Sequence, residues 1–393
     1  MDTKKTSEDV LTVKLLKAHT IIQVEEQIHN ISRSTAKNLD VWLARDLGPK
    51  LFKDTRIVCL LAAAASRGMR VRVIDWYSDL ADEFTATTTD RFATTLEGIA
   101  SLEYATSIVN SQKASIDDLI RPLKRVVIEK EGIKTPEKTS GQALTFCAFD
   151  PDEPVPLGFV GFDSKSTFMS KFREYRRNCF EVGTGAGFSD RVPAAVDAQL
   201  AAFAYEIWQN GFQHGRLDRM NQDIVGMRYL RVQKHVDYNK ASFLNRATGF
   251  RELHSYLDRE IQDSKAFTFY EVTIADNGLG IVERFLATRP EYRQQALTKE
   301  SASALVNLII DQALSSKLSQ PGAGHGLELA IDAVRKLRGF ISIRTGNSWL
   351  YQAFHHRADD GEGPQLINVD CTVTLAPVGT QINVLFPLSD TSK

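Results

Sequence analysis

The sequence predicts an α/β protein in two parts, a small N-terminal α/β domain and a larger C-terminal one. Three observations carry this. Residues 39 to 76 alternate strand, helix and strand. A Pro-free amphipathic helix runs from Asp197 to His214. The C-terminal third then supplies period-2 strands, among them a hairpin about Thr345-Gly346-Asn347-Ser348.

Composition bounds the rest. A chain of 393 residues suggests two or three domains, and 43% apolar with 25% charged residues is ordinary for a soluble globular protein. A formal charge of −1 argues against a sequence-independent nucleic-acid surface, so no nucleic-acid partner is expected. The basic run Lys171 to Arg177 contains Glu174 and reads as a solvated helix face. Cys59, Cys147, Cys179 and Cys371 lack paired ligand spacing, which fits free thiols in a reducing compartment. No apolar stretch follows Met1 to Lys5, and the apolar run Ile57 to Ala65 is far short of the ~20 residues that span a bilayer. A cytoplasmic protein without membrane contact is expected.

Along the chain, residues 1–18 are polar and read as a disordered tail. Residues 19–110 form the small α/β domain. Its pieces are a strand over Leu39 to Leu43, a helix over Asp54 to Ser66 ended by Gly68, and a strand over Arg70 to Trp76. Residues 111–190 read as a linker with accessory strands and a helix, the part to about 140 being a linker or helical connector. There Leu144 to Phe149 and Pro156 to Phe162 suggest a strand pair across Asp150 to Pro154, and Lys165 to Phe180 suggests a helix. Gly183-Thr184-Gly185-Ala186-Gly187 lacks the Lys-Ser/Thr of a P-loop and reads as a connector. Residues 191–393 carry the chemistry.

Four motifs follow one another there. In Glu206-x-x-x-Asn210-x-x-x-His214-Gly215, Leu200, Phe203, Ala204 and Ile207 share one side of a helix, while Glu206, Asn210 and His214 form a polar stripe beside it. The Asn210 amide oxygen suits Mg²⁺, which prefers oxygen ligands completed by water and phosphate, and Glu206 suits a general base. In Asp276-Asn277-Gly278-Leu279-Gly280, a carboxylate ends a strand and two glycines follow, so a flat ring can approach the backbone. Ionised Asp276 only accepts hydrogen bonds, which matches the amino group of adenine and opposes the carbonyl of guanine. The run Gly322-Ala323-Gly324-His325-Gly326-Leu327 opens a helix whose N–H groups and dipole suit a triphosphate. Gly379-Thr380 starts the last strand, and the Thr380 hydroxyl is placed to share a water with Asp276 against adenine. The segment between Gly280 and Gly322, including Ser315-Ser316-Lys317, is a candidate lid. Each motif alone also fits a polar stripe, a turn or a flexible loop. Their order favours an ATP site.

In that order the four motifs resemble the GHKL superfamily, the ATP-binding domain shared by gyrase B subunits, mismatch-repair MutL proteins, heat-shock-90 chaperones and histidine kinases. The resemblance covers about residues 190 to 390. It implies a Bergerat-type α/β sandwich: a mixed, mostly antiparallel sheet covered by helices on one face. It also implies Glu206 as base, Asn210 for Mg²⁺, Asp276, Gly278 and Gly280 at adenine, and Gly322, Gly324, His325, Gly326 and Leu327 at the phosphates. Thr380 joins the adenine water network. Two features depart from the pattern. Asp237 to Lys265 is an insert expected to remodel the pocket rim, and His325 stands where leucine is usual. Leu60 to Trp76 resembles a STAS domain, the module of anti-sigma-factor antagonists, without an evident phosphoserine at Asp46-Leu47-Gly48.

The functions left open are a Mg²⁺-dependent ATPase acting as a nucleotide-driven switch, a serine/threonine kinase of anti-sigma type or a histidine kinase, and a nucleotide-gated scaffold without turnover. His19 and His29 lie at the wrong end for a phosphoacceptor helix. Thr380 stands close to the end of the sequence, so coupling is expected to run through the N-terminal half, to a protein partner or within a homodimer.

Overall fold

The chain divides into two units, Met1–Val127 with Cys371–Ala376, and Ile128–Asp370 with Pro377–Lys393. The computed structural model describes residues 9–16, 18–44, 51–75, 91–93, 95–110, 112–129, 133–135, 143–150, 164–180, 194–215, 217–220, 222, 224, 226–261, 267–296, 299–311, 325–355, 365–371, 375 and 378–388.

In the first unit four parallel strands lie in chain order: β1 (Val10–Leu15), β2 (Asn38–Leu43), β3 (Arg70–Asp75) and β4 (Ser107–Asn110). Helices α1 (Ile21–Arg33), α2 (Lys53–Ser66) and α3 (Leu96–Tyr104) make the crossovers that parallel strands require. Thr20 and Gln23 close a capping box at the start of α1. Every residue of α2 from Thr55 to Ala64 is buried, as expected of a helix apolar on most of its circumference, flanked by α1 and α3. Buried Glu25 of α1 meets buried Arg56 of α2 at 2.8 Å. Gly68 ends that helix at φ +70, where a side chain would be strained.

One expectation changes here. Val10–Leu15 belongs to the sheet, so the tail predicted over 1–18 is too long; its alternation buries Val13 and Leu15 between charged and polar neighbours. The stretch from 111, read as a linker or helical connector, contains two short helices, α4 (Asp117–Ile120) and α5 (Leu123–Glu129), in line with the helical alternative. Strand β3 ends at Asp75, and Trp76, like Asp46 to Gly48, lies outside the described residues.

The second unit is built on an eight-stranded sheet in the order β11-β10-β9-β12-β8-β7-β6-β5. Its strands are β5 (Ile133–Thr135), β6 (Ala143–Asp150), β7 (Gly226–Asp237), β8 (Phe267–Asp276), β9 (Phe340–Gly346), β10 (Ser348–Ala353), β11 (Ile367–Asn368) and β12 (Val378–Pro387). Among the described residues all seven pairings are antiparallel, where a mixed, mostly antiparallel sheet is expected. Strands β5 and β6 come from the stretch read as accessory and form one edge of the sheet. Pro156 to Phe162 and Gly183 to Gly187 lie outside the described residues.

Register explains one face. Rows Ile274–Ile382–Ile343 and Val272–Val384–Ile341 run across β8, β12 and β9 and join the hydrophobic core with residues of α6 (Lys165–Phe180), α7 (Ala194–His214) and α12 (His325–Lys336). Between β8 and β9 the chain also forms α10 (Ile281–Thr288) and α11 (Lys299–Asp311). Val282, Phe285, Leu305, Val306 and Ile310 of these helices are core residues, so α10 and α11 are built into the fold, while residues 312–321 of the candidate lid, Ser315 to Lys317 among them, lie outside the described residues.

The described part of the insert lies on the face of the sheet away from the Asp276 side chain. It folds as α8 (Lys240–Leu244), a 3₁₀ turn and α9 (Arg251–Glu260). Phe243 stacks on Phe269 at 5.3 Å, and Phe250 meets Trp349 at 4.8 Å and Phe340 at 5.5 Å. Phe269 and Phe340 alternate with the core-facing residues of their strands, so the described part of the insert packs on the other face, with Phe250 against Trp349 in the row of Ala275 and Phe243 near the Phe267 end. That end is about 30 Å from Asp276 at the rise of a strand. Both the expected rim role and the expectation of helices on one face only are corrected by that face: α8 and α9 pack on the side of the sheet opposite to the Asp276 side chain.

Among the described residues no helix is long and apolar enough to cross a membrane.

Candidate functional site

One row beyond Ile274–Ile382–Ile343, the apolar face of the sheet turns polar. Asp276 pairs in register with Thr380, and Thr380 with Thr345. The period of two puts all three side chains on the helix-facing side. Asp276 ends β8 and is 8% exposed. Its Oδ1 accepts from the Gly278 N–H at 2.9 Å and the Thr380 N–H at 3.2 Å. The turn is tied to β7 by Asn277, whose Nδ2 donates to the Met227 carbonyl at 2.9 Å. Thr345 Oγ1 accepts from the Ile281 N–H at 2.7 Å, satisfying a donor at the start of α10, and lies 3.3 Å from Thr380 Oγ1.

Glycines close on this row because nothing larger fits. A Cβ on Gly215, just past α7, would stand 2.7 Å from Asp276 Oδ2; one on Gly278 would stand 2.6 Å from the Gly215 carbonyl oxygen; one on Gly379 would stand 2.6 Å from Asn277 Cα. Gly280 has φ +83, and a Cβ there would stand 2.9 Å from Thr345 Oγ1. The motif glycines are thus spacing elements that let the end of α7, the turn after β8 and the start of β12 converge on one carboxylate.

The second half of the site lies back along α7. Glu206 precedes Gly215 by nine residues, about 14 Å of helix axis. An extended nucleoside triphosphate bridges such a span. Asn210 lies between them, one turn from Glu206. Helix α12 packs on α7 with its first turn at this level: a Cβ on Gly326 would stand 3.2 Å from both Glu206 Oε2 and Asn210 Nδ2, and 3.6 Å from Asn210 Oδ1. Glu206 and Asn210, separated from Gly326 by more than a hundred residues, therefore face the N-terminal turn whose N–H groups the helix leaves unpaired.

Sequence reasoning missed three contributors. Lys165, the first residue of α6, donates from Nζ to Glu206 Oε1, and its ammonium lies 5.4 Å from the centre of the Tyr205 ring. Thr345 completes the polar row; the only local signal is its place at the end of a strand before Gly346. Arg284 of α10 donates to the Asp218 carbonyl at 3.3 Å, and Arg219 pairs with Glu283 at 2.7 Å, holding the segment after Gly215 against α10. Burial pushes the Arg284 guanidinium below its usual value, with the charge of Asp218 opposing.

The other expected residues fall as follows. Gly322 and Gly324 lie outside the described residues, as do the side chains of His214 and His325. Leu327 packs against the core and anchors the first turn of α12. Among the described residues no three His, Cys, Asp or Glu side chains gather as a metal cage. The donor set near Gly326 is one amide and one carboxylate, the kind that holds Mg²⁺ when phosphates complete the shell.

Comparison of the chain with protein-family models, with curated proteins and with solved structures finds no match.

Proposed function

We propose that the second unit is a Bergerat-type ATP-binding domain similar to those of the GHKL superfamily, and that it hydrolyses ATP as a nucleotide-driven switch. The observation that carries this reading is the convergence just described. An acceptor carboxylate, fixed by two N–H donors and walled by glycines, lies about 14 Å along one helix from a carboxylate–amide pair facing a helix N-terminus. Adenine would lie against Asp276 and Thr380, and the phosphates against the first turn of α12, including Gly326, with Gly322 and Gly324 ahead of it.

In this reading Glu206 takes a proton from a water whose oxygen attacks the terminal phosphorus, and the bond to the ADP oxygen breaks with its electron pair leaving on ADP. Asn210 would hold Mg²⁺, which supplies charge neutralisation for the phosphate oxygens. The first unit would serve a protein partner; its strand–helix–strand order is compatible with the STAS-like reading of 19–110. A reducing, cytoplasmic setting remains part of the proposal.

Calorimetry with ATP, GTP and ATP without Mg²⁺ tests the binding half. ATP should bind well only with Mg²⁺, and GTP on the order of a hundredfold more weakly, because the guanine carbonyl meets the Asp276 carboxylate. Equal affinity for ATP and GTP would remove Asp276 from the base site.

A further inference from the structure

Glu206 shows its two oxygens to different neighbours. Oε1 receives the Lys165 ammonium, while Oε2 faces the first turn of α12 beside Gly326 and Asn210. The Lys165 side chain is 44% exposed and that of Glu206 17%, so the pair sits at a boundary with solvent on the lysine side. Lys165 is also badly placed for its own helix. It opens α6, where a cation faces the positive end of the macrodipole, and the first turn of α6 has no acid. Its partners are in α7: Glu206, and the Tyr205 ring, which is itself braced edge-on by Phe168 of α6 at 5.5 Å. The position answers a need of Glu206 and not of α6.

That need is electrostatic. The site asks a carboxylate to stand within a few ångströms of the terminal phosphate, close enough to take a proton from the water that attacks it. With a bare carboxylate, two like charges that close disfavour binding by on the order of a hundredfold to a thousandfold at the effective dielectric of a protein surface. We propose that Lys165 is the counter-ion that makes Glu206 compatible with a bound triphosphate, so that it sets the preference of the site for ATP over ADP without touching the nucleotide. This rests on the ATP reading above. Lys165 holds the charge of Glu206 from behind, leaves Oε2 turned toward α12, and is a positioning residue acting through Glu206. A diphosphate ends short of Glu206 and has little to gain from it.

The test is a binding cycle at fixed salt with the full-length protein. ADP and a non-hydrolysable ATP analogue with a β,γ-imido bridge are titrated into the parent, Lys165→Met, Lys165→Arg, Glu206→Gln and the double variant Lys165→Met/Glu206→Gln. Lys165→Met should lose about tenfold or more for the analogue and much less for ADP, and Lys165→Arg should retain the parent's preference. The double variant should bind the analogue like Glu206→Gln alone, because a neutral amide has no charge to offset. Equal losses for both nucleotides in Lys165→Met would show a structural role. A double variant as weak as Lys165→Met would show that Lys165 contacts phosphate directly. Either result overturns the counter-ion. A parent that binds neither nucleotide overturns the ATP reading instead, and with it this inference.

Discussion

Replacing Asp276 by Asn separates the turn from the ligand. The two N–H groups that hold Oδ1, from Gly278 at 2.9 Å and Thr380 at 3.2 Å, are satisfied equally well by an amide oxygen. The amide then places an NH₂ where Oδ2 stood, at the position a Cβ on Gly215 would meet. An adenine amino group arriving there finds a donor in place of an acceptor. Fold stability should change little, since both backbone bonds survive and Asn occupies nearly the same volume. Binding should suffer by about 2–4 kcal/mol, the value of a charge-assisted hydrogen bond together with an unmatched buried donor. That is a loss of roughly 30- to 700-fold in ATP affinity. Calorimetry with ATP and a thermal melt without nucleotide, run on parent and variant, check both halves. Parent-like ATP affinity in the variant would refute the base assignment. A collapsed melt would refute the claim that the two N–H bonds are what the turn needs from residue 276.

The insert and the first unit give two further expectations. Phe250→Ala removes a ring that is 2% exposed and packed on Trp349 and Phe340, so it should cost about 3–5 kcal/mol of stability by denaturant titration; ATP affinity measured well below the midpoint should be unchanged, and a selective loss of affinity would return the insert to the pocket rim. Arg56→Leu leaves the Glu25 carboxylate buried without its guanidinium and should destabilise by about 3–5 kcal/mol, most of it recovered in Glu25→Leu/Arg56→Leu; a mild single variant on the melt would show that the pair is not what joins α1 to α2.

Local pattern made much of this molecule legible. The helix expected over Lys165 to Phe180 has those bounds, and the strand leading into Asp276 and the hairpin from Phe340 to Phe354 follow their period-2 alternation. The four motifs could be ordered because each carries its own chemistry in a few consecutive residues. What escaped depends on contacts across the chain. Val10–Leu15 looks like part of a charged tail until β2 supplies a partner. Strand β6 gains its place by pairing with β7, whose residues come some eighty positions later, and β5 joins the sheet through β6. The location of the insert follows from the face of the sheet on which Phe243 and Phe250 find their partners, Phe269, Phe340 and Trp349. Thr345 reaches the polar row through β12, and Lys165 reaches Glu206 because α6 packs beside α7. Neither residue carries a local signature, because a threonine at a strand end and a lysine in a serine-rich turn are common in surface positions.

The central claim is that Glu206 activates water against a triphosphate. Incubation of the full-length protein with γ-labelled ATP and Mg²⁺, reading free phosphate and protein-bound label in the same sample, tests it most directly when the parent is run beside Glu206→Gln. The account predicts steady phosphate release by the parent, no label on the protein, and a fall of roughly 10²- to 10⁴-fold in release by Glu206→Gln with ATP binding retained. Phosphate release unchanged in Glu206→Gln would contradict it, as would label moving onto a serine, threonine or histidine in place of free phosphate.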